Sequence, residues 1–338
     1  MTEPIAATAL STLAAEPLFG LPLAEVWFGL IFAVFGTFLF LDGFDFGVGA
    51  LFATRRTERE REQLLSAIGP FWDGNEVWLV VFGGMLFAVF PRLYADLFSR
   101  HYLLLFAILG ALIVRGLSPE MYEQRHDDDW RRFWGRAFVA GSVAAPFFLG
   151  VFTGNWLFGV DRVASAASLL VGLAVVALTV VDGAAYLGVK TRGDVRDETR
   201  AIGLFAQAVY LVLAVGALAV GARATDHVAL VSLPVLGLLG VTVLAAAGYV
   251  LAGRSGRRYV AFGAVAAQVY GLVALVAVIL YPVVDPATGL TVGTAVVSML
   301  PLNLTSIGAA VLLPLIAAYF VVLYSAFSGP IESGESYG

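Results

Sequence analysis

GPFWDGNEVWLVVFGG, Gly69 to Gly84, sets an aspartate, an asparagine, a glutamate and two tryptophans at the head of an otherwise apolar segment long enough to enter a bilayer. Asp73 and Glu76 lie three residues apart, so on a helix their carboxyls project from neighbouring points of one face. A charge in the hydrocarbon core costs on the order of 3 kcal/mol on insertion scales, so acids placed there need a purpose. One reading makes them a functional site. The other leaves them among the headgroups, where Gly69-Pro70 starts a helix whose dipole the two acids complement.

The rest of the chain is read outward from that segment. Of its 338 residues, 60% are hydrophobic and 13% charged, against about 25% charged in a typical soluble domain. The apolar runs are long and unbroken, whereas a membrane barrel alternates residue by residue in segments of about ten. The fold class is therefore an all-α polytopic membrane protein. With no cysteine, the chain cannot form disulfides, thiolate-held iron-sulfur clusters or a catalytic thiol. A net charge of -5, with arginines scattered among the gaps between spans, leaves no nucleic-acid footprint.

Nine transmembrane spans are expected, at 24–53, 67–90, 101–123, 133–158, 165–189, 200–221, 228–252, 258–283 and 301–327. The first 23 residues contain no Lys or Arg, so the first run reads as a retained helix rather than a secretory signal. Loop charge gives the orientation. Four Lys or Arg residues follow span 1, four follow span 3, four follow span 5 and three follow span 7, while the opposite side carries only Arg92, Arg100, Arg162 and Arg223. That asymmetry places the N-terminal segment 1–23 outside and the tail 328–338 in the cytoplasm.

A weak internal repeat divides the single transmembrane domain. Leu41-Asp42-Gly43 is echoed by Val181-Asp182-Gly183, Ala67 to Phe71 by Ala201 to Phe205, and Arg131-Arg132-Phe133 by Arg257-Arg258-Tyr259. Two pseudo-symmetric four-helix bundles, 24–158 and 165–283, follow from this, with 301–327 as an additional ninth helix.

Span direction then fixes depth. At about 1.5 Å per residue, Asp42 lies roughly 27 Å along span 1 with Asp45 deeper, Asp73 and Glu76 lie roughly 9 to 14 Å in from the same side, and Arg115 lies about 21 Å from the outer end of span 3. All five share the cytoplasmic half, and Asp182 has comparable depth. Arg115 needs an anionic partner, for which Asp73 or Glu76 is the first candidate. The acids left over could relay protons, or the whole set could simply clamp helices together.

Gly43 and Gly47 have the small-xxx-small spacing of close helix packing, a better reading than a nucleotide loop because no strand precedes them. Trp72 suits an interfacial anchor, and Trp78, a turn deeper, suits it less. His101 and His227 open spans 3 and 7 at the outer surface, His126 lies in a cytoplasmic loop, and no histidine faces Met85 within the bilayer. No metal site is expected in this chain.

With Asp42 to Leu51 and Gly69 to Leu79 in view, the chain resembles subunit II of the cytochrome bd family, the membrane-bound quinol:oxygen oxidoreductases. The likeness runs the whole length, through DGFDFGVG, GPFWDGNEVWL, Arg115 late in span 3, and SMLPLNLTS before the last span. The string WDGN-x-VW, which includes Gly74 and Asn75, is its most specific part. The resemblance implies a haem-free chain paired as a heterodimer with a subunit I that carries haems b and d, in the cell membrane, with quinol and O2 as substrates of the complex. It further implies that Asp42, Asp45, Asp73 and Glu76 lead cytoplasmic protons toward the oxygen-reducing haem with Arg115 as counter-charge, and that Trp78 lies on an apolar oxygen route or at the subunit interface. Asn303 falls on the asparagine of the family's final-helix motif; Pro301 stands where a threonine is usual, so no hydroxyl role carries over there. A structural quinone and small accessory membrane subunits are further features that the complex could hold. The competing reading from another class is a self-sufficient proton-coupled secondary transporter, whose repeats and half-buried acids would look similar.

Overall fold

The computed structural model describes residues 11–225, 231–327 and 329–330. His227, the first ten residues and most of the expected tail lie outside the described residues.

Among the described residues, eight helices are long and apolar enough to cross a membrane. With the shorter helices numbered in chain order, α1 is Leu23–Phe52, α2 Glu58–Ile68, α3 Trp72–Val89, α4 Pro91–Arg100, α5 Tyr102–Gln124, α6 Asp128–Phe158, α7 Ala166–Lys190, α8 Asp194–Ala224, α9 Leu233–Arg254, α10 Arg258–Ile279, α11 Val292–Ala295 and α12 Met299–Ala326. The crossing helices are α1, α5 to α10 and α12.

The expected span at 67–90 is built differently. Residues 58–68 form the amphipathic helix α2, the chain turns at 69–71, and α3 begins only at Trp72. The cause is a capping box: the Thr57 side chain accepts from the Glu60 backbone N–H while the Glu60 carboxylate accepts from the Thr57 backbone. Leu64, Leu65, Ala67 and Ile68 then bury the apolar face of α2. The remaining α3 is 18 residues long, and its first turns carry Asp73, Asn75 and Glu76, which lower its hydropathy below that of the other spans.

The centre of the molecule is α1, with 20 of its 30 residues buried. It packs against α3, α6, α7 and α10. Its approach to α7 depends on glycine: a Cβ at Gly47 would lie 1.9 Å from the Thr179 carbonyl oxygen, and one at Gly183 would lie 2.5 Å from the Gly47 carbonyl carbon. Gly141 does the same for the approach of α6 to α5, where a Cβ would meet the Arg115 backbone nitrogen at 2.6 Å. Small residues thus bring the segments bearing Asp42, Arg115 and Asp182 together.

The basic segments converge on one face. Arg131, which precedes the body of α6, pairs with Glu58 of α2, and Arg55 after α1 lies 3.2 Å from Glu198 of α8. On the opposite face a short antiparallel hairpin, β1 Val283–Asp285 and β2 Leu290–Thr291, follows α10. Trp156 donates its indole N–H to the Val284 carbonyl at 2.7 Å, and Arg100 grips Asp285 through two nitrogens at 3.0 and 2.8 Å. Burial alone would push the Asp285 carboxyl up, but the hydrogen bonds from Arg100 and Thr288 and the Arg100 charge outweigh it and hold the group below its usual value. His101, at the start of α5, is buried with its ring edge-on to Phe152 of α6.

Candidate functional site: an acid cluster around one arginine

Arg115 is fully buried on α5, and three carboxyls from two other helices close on it. Its Nη2 lies 2.7 Å from Asp42 Oδ1 and 3.6 Å from Asp45 Oδ2, and its Nη1 lies 3.2 Å from Glu76 Oε2. Asp42 and Asp45 are a three-residue step apart on α1, so one face of that helix supplies both. Phe46 and Trp72 flank the guanidinium, their ring centres 4.8 and 5.7 Å from its carbon, and exclude water from two sides.

A second layer fixes Asp45. Asn75 donates through Nδ2 to Asp45 Oδ2 at 2.8 Å and to the Leu41 carbonyl at 3.1 Å, and accepts at Oδ1 from the Tyr324 hydroxyl at 2.8 Å. One buried asparagine therefore ties α1, α3 and α12 together. Sequence reasoning singled out Asn75 by its motif and missed Tyr324, whose only signal is a tyrosine one turn from the end of an apolar helix.

Of the two partners expected for Arg115, Glu76 is one and Asp73 is not. Asp73 is exposed and enters no ion pair among the described residues, while Glu76, three positions on, turns inward. Asp73 stands exposed in the first turn of α3, and Glu76 lies one turn further along, where Arg115 reaches it. The closest partner is Asp42, on a helix that sequence spacing alone could not bring to Arg115.

Burial grades across the cluster. Asp42 and Asp45 have no exposure, whereas the Glu76 side chain is 30% exposed. On the other side of α1, Asp182 is also fully buried, against Gly43, and neither of its oxygens has a hydrogen-bond partner among the described residues. Trp78 is buried on α3 with its ring 5.3 Å from that of Phe320 on α12, and its indole nitrogen has no hydrogen-bond partner among the described residues. Gly74, by contrast, meets only side-chain carbons of Leu323 and Phe320 at ordinary contact distance. Asn303 lies apart from the cluster: it accepts from the Leu18 backbone N–H at 2.9 Å and donates to the Leu13 and Glu16 carbonyls, fastening the segment before α1 to α12.

Among the described residues no three His, Cys, Asp or Glu side chains gather to hold a metal ion. Met85 is packed in the apolar core, His101 is boxed in beside Phe152, and His126 contacts Arg131 on the surface.

Fold and site together define an α-helical polytopic membrane protein with carboxyls and an arginine buried between its first helices. The chain belongs to the family described as cytochrome bd terminal oxidase subunit II, whose profile matches residues 23–327. It is similar to the cytochrome bd ubiquinol oxidase subunit 2 of Bacillus subtilis, at 30% identity over 333 residues, covering 93% of this chain and 98% of the relative. The cytochrome bd-I ubiquinol oxidase subunit 2 of Escherichia coli K12 is 34% identical over 206 residues, about half of each chain. Its fold resembles a chain of the bd oxidase of Geobacillus thermodenitrificans, with a TM-score of 0.73 over 91% of this chain and 99% of that one, at 17% identity. These comparisons lend no support to the transporter reading.

Proposed function

We propose that this chain is the haem-free subunit II of a quinol-oxidising, oxygen-reducing membrane complex, and that its buried acids deliver protons from the arginine-rich face, taken as cytoplasmic. In this reading α3 is the second of nine spans, 24–158 and 165–283 are pseudo-symmetric bundles with 301–327 as the ninth helix, and the N-terminus lies outside. Haems b and d belong to the partner subunit I, where oxygen is reduced to water with uptake of protons.

The observation that carries the proposal is the ratio of charges. One guanidinium offsets one carboxylate, yet Asp42, Asp45 and Glu76 all lie within 3.6 Å of it. Two acids are then unmatched unless they hold protons, since uncompensated buried charge is very costly. Glu76 is the one member that water reaches, with Asp73 exposed beside it at the entrance. A proton taken up at Glu76 passes to Asp45 or Asp42, and the arginine charge keeps the set from filling with protons permanently. Trp78 and Phe320 line an apolar seam between α3 and α12 that suits oxygen or the subunit contact.

The rival reading within the family is a clamp, favoured by the hydrogen bonds through which Asn75 on α3 holds α1 and α12. Glu76→Gln in the intact complex separates the two. A relay predicts quinol-driven oxygen uptake at least about tenfold slower with haem spectra unchanged; a clamp predicts normal turnover with lowered stability.

A further inference from the structure

Away from the acid cluster, the ends of α7, α8, α9 and α10 enclose a cavity of about 150 Å³. It opens on the arginine-rich face. Lys190 ends α7, Asp194 starts α8, Arg254 ends α9 and Arg258 starts α10, so its mouth is level with the lipid headgroups. Arg196, Arg200 and Arg258 line it. Asp197, also in the lining, lies 3.6 Å from Arg196 and offsets it. Arg200 and Arg258 enter no ion pair among the described residues, which leaves the cavity with two unmatched cations.

A hydroxyl points to the same ligand. Tyr249 lines the cavity and its hydroxyl makes no hydrogen bond to another described residue. It fits only because position 203 is glycine, where a Cβ would meet that oxygen at 2.4 Å. The deeper wall is apolar, formed by Leu204 and small residues such as Ala184 and Ala261. Phe205 and Leu251 present exposed apolar surface on the same two helices, α8 and α9.

We propose that this cavity holds the phosphate of an anionic phospholipid from the leaflet on this face. Guanidinium forks match phosphate oxygens in charge and shape, and a basic pocket between spans at headgroup depth is where such a lipid gains most. The apolar wall and the exposed Phe205 and Leu251 receive the glycerol and acyl chains. Bound there, the lipid joins α7 and α8 to α9 and α10. The proposal needs only the membrane fold and is independent of the proton-delivery reading.

The test uses the intact detergent-purified complex. Native mass spectrometry counts retained phospholipids, and thermal unfolding is followed with added phosphatidylglycerol, phosphatidylcholine or inorganic phosphate. Wild type is expected to retain at least one more anionic lipid than Arg200→Gln/Arg258→Gln, and to be stabilised by phosphatidylglycerol alone. Arg254→Gln, outside the cavity lining, should behave as wild type. Gly253→Leu fills the cavity without removing charge, and since a Cβ at Gly253 meets open space the fold tolerates the start of that side chain. It should lose the phosphatidylglycerol effect as the arginine pair does. Equal lipid counts and equal protection in wild type and both variants would overturn the proposal, and equal protection by inorganic phosphate would overturn its lipid assignment.

Discussion

Replacing Arg115 by methionine keeps most of the side-chain volume and removes the one cation among three carboxyls. At an effective dielectric of about 20, unit charges at the 2.7 Å separation of Arg115 and Asp42 attract by roughly 6 kcal/mol before desolvation is counted. Desolvation takes back much of that. Removing one partner from a buried pair nonetheless costs about 3–5 kcal/mol, because the carboxylates stay buried without compensation. Arg115→Met should therefore destabilise the complex by about 4 kcal/mol at neutral pH, measured by denaturant unfolding in mixed micelles. Adding Asp42→Asn removes the nearest uncompensated acid, so the double variant should be less destabilised than the sum of the single ones by about 2 kcal/mol. Losses that add to within about 0.5 kcal/mol would show that the two residues do not act as a pair and would refute the reasoning.

Other positions give independent checks. Gly47→Ala should cost about 3 kcal/mol or block assembly, since the new Cβ would sit 1.9 Å from the Thr179 carbonyl; Gly83→Ala, with open space around it, should stay within about 0.5 kcal/mol in the same unfolding assay. Tyr324→Phe leaves Asn75 Oδ1 without its donor and should cost about 1–2 kcal/mol, with haem content of the complex unchanged. The Arg100–Asp285 pair sets a pH dependence. Because the folded carboxyl is held below its unfolded value near 3.8, its contribution is fully present above that pH and is lost as pH falls further. Stability measured from pH 5 down to 3 should fall more steeply in wild type than in Arg100→Gln.

Much of this fold is written in hydrophobic run length, the feature that a bilayer reads directly. Where two forces act on one segment, run length is not enough. The stretch from Ala67 to Trp72 is apolar enough to join the span after it, yet the Thr57 and Glu60 capping box commits the preceding residues to a surface helix, and the turn at 69–71 separates the two. That box was visible in the sequence. The site was legible as a layer: Asp42, Asp45, Glu76 and Arg115 share one depth because depth follows from span direction and rise per residue. Which acid meets Arg115 depended on helix rotation, set by the glycine contacts of α1 with α7 and of α5 with α6, and no local spacing encodes that. Tyr324 and Asp285 act across more than 180 residues of chain, so their partners appear only in three dimensions.

Proton uptake by the reconstituted complex, recorded with a pH indicator on the arginine-rich side during a pulse of oxygen, tests the central claim most directly. Glu76→Gln should slow that uptake at least about tenfold while a neighbouring surface change, Arg132→Gln, leaves it unaltered. Wild-type uptake kinetics in Glu76→Gln, with haems intact, would contradict the account and leave the cluster as a clamp.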